Sequence, residues 1–154
     1  MSASAAAGDL QLVATLLGGP RVLRHALRGP MDAHELLARG LPGAALLHLV
    51  DSLVHLHNPA SLEKAVGMSL RTFQRHKTTP ARPLNQEQSG RIWKFAEILA
   101  KATSVFGTQD EAEQWLEQPA IGLDQHRPLD LLATPAGVKL VEDYLERLEY
   151  GVYT

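Results

Sequence analysis

The sequence predicts an all-α protein, and three observations support this class. Apolar residues recur at the i, i+3, i+4, i+7 spacing of amphipathic helices, whereas the alternation of a half-buried strand does not occur. Glycine and proline interrupt this periodicity where helices should end. Hydrophobic residues make up 45% and charged residues 21% of the 154 positions, a composition typical of folded proteins and not of disordered chains.

The N-terminal part of the chain is predicted to form short helices separated by glycine and proline. The first has an apolar face made of Leu10, Val13, Ala14 and Leu17. Gly18-Gly19-Pro20 stops it, and two further helices over residues 21–28 and 32–39 are closed by Gly29-Pro30 and Gly40. Glycine is favoured at such ends because it adopts the left-handed conformation without a Cβ clash.

Residues 44–56 are the most apolar stretch and are predicted to form a buried helix ending near His57-Asn58-Pro59. His48, Asp51 and His55 interrupt the stretch, which is also too short to span a bilayer. The two histidines would share one helix face, but metal sites on helices more often use an i, i+4 pair with further ligands. No metal site is therefore predicted.

Residues 61–77 have the layout of a helix-turn-helix, in which two short helices are separated by Gly67. In this motif a small residue takes the tight turn and apolar residues on both helices fix the crossing angle. Those apolar residues would be Leu62, Val66, Met68 and Phe73. Ser69 would cap the second helix. Glu63 departs from the pattern, because the position four before the turn glycine is normally small.

The second helix of this motif would present side chains that read base edges and bind phosphates. The candidate DNA-binding residues are Arg71, Thr72, Gln74, Arg75 and Lys77. The alternative is a pair of short core helices with a solvated basic face, and both interpretations fit the sequence.

Capping residues predict the helices of the C-terminal half. Asn85 begins a helix that Gly107 ends, and Thr108 begins a short one. Thr134-Pro135 begins the last helix, because proline is favoured at the first helical position. The apolar stripe of this helix is Val141, Tyr144, Leu145 and Leu148. Residues 150–154 then leave the helix as a short tail.

Charge is divided along the chain, although the net charge is only −2. Residues 57–103 carry eight basic and three acidic side chains, a local balance of +5. Residues 104–154 carry three basic and ten acidic side chains, a local balance of −7. Solvated helix faces also produce such blocks. The division would suit a protein with one part facing a polyanion and another facing a protein.

No catalytic site and no cofactor are predicted. The chain has no cysteine, which excludes disulfides and thiolate nucleophiles and suits a reducing cytosol. Leu17-Gly18-Gly19-Pro20 lacks the lysine and the flanking strand of a phosphate-binding loop. The carboxylates of the last helix have the spacing of a solvated helix face: Glu142, Asp143, Glu146 and Glu149. The sequence therefore predicts a binding protein and not an enzyme.

From residue 40 onward the chain resembles antitoxins of the Xre/MbcA/ParS type, which are paired with RES-domain toxins. The resemblance is clearest from Thr72-Phe73-Gln74-Arg75 onward and includes Trp115-Leu116, Arg127-Pro128-Leu129-Asp130-Leu131-Leu132 and Tyr150-Gly151. Each match is weak alone, but their order and spacing are specific. Residues 1–39 match nothing in the pattern.

The resemblance implies a type II antitoxin with three parts. These are a variable N-terminal helical extension over residues 1–39, a degenerate helix-turn-helix over 40–84 and a C-terminal helical toxin-binding domain over 85–154. It also implies a cytoplasmic homodimer that binds its own operon promoter and covers the active-site entrance of a RES-domain toxin. NAD would be the substrate of that toxin and not a cofactor of this chain. The alternative is a stand-alone transcription regulator whose C-terminal helices dimerise or sense a ligand.

The candidate toxin-binding residues lie at the C-terminus and are Arg147, Tyr150, Gly151, Val152, Tyr153 and Thr154. Tyrosine supplies a large contact area at a low entropy cost and is enriched in interfaces. Each part of this set has an alternative to toxin binding. The tail residues would pack on the core of their own chain, and Arg147 would pair with Asp143 one turn back.

Overall fold

The computed structural model describes residues 3–151, and the predicted all-α class is confirmed. Within this range the chain forms no strand longer than an isolated bridge. Two 3-10 helices, Ile121–Leu123 and Pro128–Leu131, precede the last α-helix. The α-helices are α1 (Ala3–Leu16), α2 (Gly19–Leu23), α3 (Pro30–Arg39), α4 (Gly43–Ser52), α5 (Pro59–Val66), α6 (Leu70–Thr78), α7 (Gln86–Phe106), α8 (Gln109–Leu116) and α9 (Pro135–Glu149).

Helix α7 lies at the centre of the core. It packs against α1, α3, α5, α8 and α9. Its buried residues cover more of its circumference than one apolar stripe would: Ser89, Ile92, Trp93, Phe95, Ala96, Ile98, Leu99, Ala100 and Ala102. The N-terminal and C-terminal parts of the chain therefore share one core. No helix of the described part is long and apolar enough to cross a membrane.

The predicted capping residues begin the helices as expected. The Asn85 side chain accepts a hydrogen bond from the Gln88 N–H at 2.7 Å, and the Gln88 side chain accepts one from the Asn85 N–H at 3.2 Å. The side chains of Ser69, Thr108 and Thr134 each accept a hydrogen bond from the N–H three residues later. These bonds satisfy backbone donors that have no partner within the helix.

The helix predicted over residues 21–28 is shorter in the structure, where α2 covers only Gly19–Leu23. The residues that follow bond to groups outside this helix. The Leu27 carbonyl accepts a hydrogen bond from an α1 side chain at 3.2 Å, and the Arg28 N–H donates to the Asp32 carboxylate at 2.9 Å. Backbone groups that are satisfied in this way do not continue the helix.

Helix α4 ends at Ser52, earlier than predicted, because a carboxylate from α8 binds the chain there. Glu113 is fully buried and accepts hydrogen bonds from the N–H groups of Val54, His55 and Leu56 at 2.7 to 3.1 Å. These N–H groups can therefore not bond to helical carbonyls. His55 lies beyond the end of α4 and so shares no helix face with His48. Residues 3–151 contain no cluster of His, Asp and Glu that could hold a metal ion.

Candidate functional site

Helices α5 and α6 form the predicted helix-turn-helix. Gly67 ends α5 in the left-handed conformation (φ +71°), and its N–H donates to the Glu63 carbonyl at 2.9 Å. A Cβ at Gly67 would lie 2.9 Å from the Arg91 side chain, so both conformation and space favour glycine. The apolar residues predicted to fix the crossing angle are buried or partly buried against the core: Leu62, Val66, Met68 and Phe73.

Glu63 does not lie between the two helices. Its side chain is exposed, whereas α5 buries Ser61, Ala65 and Val66. The motif normally has a small residue at the position of Glu63, but the exposed glutamate does not disturb the packing of α5 on the core.

Helix α6 contains no buried residue and carries the predicted DNA-binding side chains. Four of the five are exposed: Arg71, Gln74, Arg75 and Lys77. Thr72 is half-buried, and its hydroxyl accepts a hydrogen bond from the Ser69 hydroxyl at 3.1 Å. The structure therefore brings the four long polar side chains together on one exposed helix, with Thr72 at its capped start.

The structure adds Arg82 to this basic surface. The Arg82 backbone and the His76 ring both lie beside Gly43, because a Cβ at Gly43 would be 3.2 Å from the Arg82 carbonyl oxygen and 3.5 Å from His76 Nδ1. Burial lowers the pKa of His76, and the charges of Arg75 and Arg82 lower it further. The Arg82 carbonyl accepts a hydrogen bond from the Gly43 N–H at 3.0 Å, which holds the loop against the start of α4. Composition placed Arg82 in the basic segment, but only the tertiary structure positions it beside α6.

Helix α5 is bound to the C-terminal part of the chain by polar contacts. Lys64 Nζ lies 2.8 Å from the Asp130 carboxylate, and the Ser61 hydroxyl donates to Glu117 at 2.9 Å. Arg127 donates two hydrogen bonds to Asp130 at 2.8 and 2.9 Å. The hydrogen bond from Arg127 is the main cause that lowers the pKa of Asp130, and Lys64 adds to it. The ionised Asp130 therefore joins the helix-turn-helix to the C-terminal helices.

Helix α9 is held against α7 along its length. Lys94 Nζ lies 3.1 Å from Glu142, and Lys101 Nζ lies 2.8 Å from Glu149. The second pair is seven residues further along both helices, so α7 and α9 run in the same direction. Because Glu149 is the last residue of α9, the helix is anchored up to the point where the tail begins.

Arg147 does not pair with Asp143, which was one alternative. Its guanidinium lies over the Tyr144 ring, with 5.9 Å between Cζ and the ring centroid. Asp143 instead accepts a hydrogen bond from Lys139 at 3.4 Å. Arg147 therefore stays on the outer face of α9, where a partner can reach it.

The tail begins with an exposed aromatic residue. Tyr150 is 54% exposed and follows α9 directly, and Gly151 has the left-handed conformation (φ +68°). Their N–H groups donate to the Glu146 and Leu148 carbonyls at 3.1 and 3.2 Å. These bonds close the end of the helix and turn the chain. The remaining predicted residues, Val152, Tyr153 and Thr154, lie outside the described residues.

Two family models match the parts of the chain that carry these surfaces. The antitoxin Xre-like helix-turn-helix domain matches residues 32–97, and the antitoxin Xre/MbcA/ParS C-terminal toxin-binding domain matches residues 101–151. Antitoxin Xre of Yersinia enterocolitica is 32% identical over 130 residues, which cover 75% of this chain and 87% of that relative. The chain belongs to the Xre antitoxin family.

Two further relatives carry the same description. Antitoxin Xre of Photorhabdus laumondii is 26% identical over 122 residues, which cover 77% of this chain and 79% of that relative. Antitoxin Xre of Pseudomonas putida is 33% identical over 69 residues, which cover 45% of this chain and 43% of that relative. This chain is therefore a type II antitoxin, and its two domains imply DNA and a toxin as partners.

The candidate residues are distributed over both matched domains of the antitoxin. The five DNA-binding candidates lie on α6, within the helix-turn-helix match. Arg147, Tyr150 and Gly151 lie at the end of the toxin-binding match. Residues 1–31 lie outside both matches.

Proposed function

We propose that this antitoxin neutralises a NAD-depleting RES-domain toxin by covering the entrance to its active site with the C-terminal residues. The observation that carries the proposal is the anchored end of α9. Glu149 is bound to Lys101, and the exposed Tyr150 follows at once. A helix end that is already rigid loses little entropy when it binds, so a tail that starts there is well suited to insertion into a pocket.

The charge of the C-terminal segment supports this proposal. Residues 104–154 have a local balance of −7. A toxin pocket that accepts the phosphates of a dinucleotide should be positive, and opposite potentials favour encounter and correct orientation. An acidic domain is therefore a suitable partner for such a pocket.

The proposal predicts a RES-domain gene next to the antitoxin gene, and it is tested by expressing that toxin gene with and without the antitoxin. We expect the antitoxin to restore growth and cellular NAD and to co-purify with the toxin. A variant with Arg71→Ala and Arg75→Ala serves as the matched control and should neutralise the toxin equally well. A purified toxin that still consumes NAD at full rate with excess antitoxin would contradict the proposal.

We further propose that the antitoxin acts as a cytoplasmic homodimer on its operon promoter, through Arg71, Thr72, Gln74, Arg75 and Lys77. In this proposal the helix-turn-helix unit covers residues 40–84, between the extension over 1–39 and the C-terminal domain over 85–154. The two ends of the central unit bond to each other, because the Leu84 N–H donates to the Leu41 carbonyl at 2.7 Å. This hydrogen bond between its two ends supports the proposal that residues 40–84 form one structural unit.

Charge reversal on α6 should weaken promoter binding. Removal of one phosphate contact lowers the salt slope by about 1. Arg71→Glu with Arg75→Glu removes two contacts from each protomer of the proposed dimer, so the slope should fall by about 4. Fluorescence anisotropy with promoter DNA at several salt concentrations measures this slope. Lys139→Glu with Arg147→Glu on α9 makes the same charge change and should leave the slope unaltered. Equal slopes for the α6 variant and the wild type would move the DNA contact away from α6.

The alternative function, a ligand-sensing regulator, is favoured by one observation. A groove of about 810 Å³ lies between α1, α3, α7 and α9, a volume within the usual range for small-molecule sites. Its apolar lining includes Leu10, Val13, Leu37, Trp93 and Leu145. If no RES-domain gene is adjacent and promoter binding changes with a metabolite, this alternative replaces toxin neutralisation.

A further inference from the structure

The toxin-binding domain exposes apolar side chains that the tail does not account for. Ile121 is 83% exposed and Leu140 is 54% exposed. Leu140, Tyr144 and Arg147 follow i, i+4, i+7 spacing and so lie on one face of α9. We call Ile121, Leu140, Tyr144 and Arg147 the α9 ledge.

The ledge has a rigid aromatic support. The Tyr144 ring stacks on Trp115 with 5.9 Å between ring centroids and an interplanar angle of 10°. Trp115 in turn lies 5.3 Å from the Phe106 ring. Arg147 covers Tyr144 from the outer side. The Tyr144 ring is therefore held in place by contacts with both Trp115 and Arg147, so that it loses little side-chain entropy on binding.

A strained loop holds Ile121 outward beside this support. The N–H of Ala120 donates to the His126 carbonyl at 3.1 Å and closes the loop. Asp124 and Gln125 within it have φ values of +52° and +64°, although neither is glycine. Such conformations are strained in residues other than glycine and persist where surrounding structure enforces them, often at functional positions. Ala120 and Leu123 of the same loop are buried, so packing on the core fixes the loop while Ile121 stays 83% exposed.

The loop and α9 are in direct contact. A Cβ on Gly122 would lie 2.0 Å from Cε2 of Tyr144, so the backbone next to Ile121 rests against that ring. Only glycine permits this approach. Ile121 and Tyr144 therefore belong to one continuous surface.

The position of the ledge identifies its occupant. All four residues lie within residues 101–151, which match the toxin-binding domain, and the stripe on α9 leads directly to Tyr150 and the tail. Building on the proposed function, we infer that the toxin is held at two places. The tail covers the active-site entrance, and the α9 ledge docks on an apolar surface of the toxin outside that entrance.

Two docking sites have separable effects. Loss of the ledge should weaken binding but leave inhibition complete at high antitoxin concentration, because the tail still covers the entrance. Loss of the tail should remove inhibition while the ledge still binds the toxin. A hot spot of about 2 kcal/mol corresponds to about 30-fold in affinity. We therefore expect Ile121→Ser with Leu140→Ser to raise the Kd for the toxin about 30-fold.

The test measures the Kd by calorimetry and NAD consumption by the toxin, with purified proteins. Met31→Ser with Val54→Ser is the matched control, because it removes two side chains that are 67% and 51% exposed outside the toxin-binding match. We expect this control to bind like the wild type. Thermal unfolding checks that all variants are folded, and substitutions at exposed positions usually change stability little.

The outcomes separate the ledge from the proposed function. If the wild type neither binds nor inhibits the toxin, the proposed function fails. If the wild type inhibits the toxin and the ledge variant binds as tightly, the ledge is not a toxin contact and the inference is overturned. Light scattering measures self-association of the antitoxin. If the ledge variant loses self-association but binds the toxin normally, the ledge contacts a second copy of the chain and the inference is also overturned.

Discussion

Truncation of the antitoxin after Glu149 is expected to abolish neutralisation of its toxin. The residues removed are 150–154, which contain two tyrosines and a valine. A buried interface tyrosine contributes about 2 kcal/mol or more, so the Kd for the toxin should also rise at least about 30-fold. Since the tail also forms the proposed cover of the active site, inhibition should remain incomplete even at saturation.

The truncated chain should remain folded. Tyr150 is exposed, and Glu149 with its bond to Lys101 is retained. Of the hydrogen bonds in the described part of the chain, truncation removes the two that close the end of α9, so the free energy of unfolding should fall by about 1 kcal/mol. Growth rescue and inhibition of purified toxin measure the first effect, and urea unfolding measures the second.

The matched control for this truncation is deletion of residues 2–6, which shortens the chain equally at the other end. It should neutralise the toxin as the full chain does. If residues 1–149 protected cells as well as the full chain at equal expression, the tail would not act on the toxin.

Substitution of Glu113 by alanine is expected to cause the largest loss of stability. The Glu113 carboxylate is fully buried and accepts hydrogen bonds from three successive backbone N–H groups, those of Val54, His55 and Leu56. The Gln109 side chain donates a fourth at 2.7 Å. Each buried donor left without a partner costs about 1 to 3 kcal/mol, so the free energy of unfolding should fall by about 3 to 5 kcal/mol.

Urea unfolding followed by circular dichroism measures this loss. Glu111→Ala is the control, because Glu111 lies on the same helix with an exposed side chain and should change stability by less than about 0.5 kcal/mol. Glu113→Gln retains one acceptor oxygen and should fall between the two. A loss below about 1 kcal/mol for Glu113→Ala would mean that water replaces the carboxylate at these N–H groups.

Glu113 has this effect because it joins the two matched domains. It lies on α8 within the toxin-binding match, whereas its backbone partners precede α5 within the helix-turn-helix match. Lys64 with Asp130 and Ser61 with Glu117 connect the same two regions. We therefore expect the two domains to unfold in a single transition, and the Glu113→Ala variant to weaken both domains together.

Much of the local structure could be predicted because its hydrogen bonds join residues three or four positions apart. The caps at Asn85, Ser69 and Thr134 and the turn at Gly67 are of this kind. The exposed basic face of α6 followed from the same local reasoning, because helical spacing alone determines which side chains share a face. Local chemistry was therefore sufficient for these elements and for the exposure of the long side chains of α6, whereas their contact with DNA stays a prediction.

Other features depended on residues far apart in the chain. Helix α4 ends at Ser52 because of a carboxylate more than fifty residues later, and no periodicity in the sequence marks that end. Arg147 had an acidic neighbour one turn back but lies over Tyr144 instead. The Tyr144 ring also stacks on Trp115 of α8, a contact that spacing along the chain does not indicate.

The sequence by itself determined the all-α class, the helix caps, the exposed helix of the helix-turn-helix and the resemblance to Xre antitoxins. Each of these depends on residue type and short spacing, which the linear chain records completely. Only the tertiary structure decided where α4 ends, how Glu113 joins the two domains and that Ile121, Leu140 and Tyr144 form one surface with Arg147. The physical reason is that packing of α7, α8 and α9 brings distant residues into contact, and their burial and hydrogen bonding cannot be read from spacing.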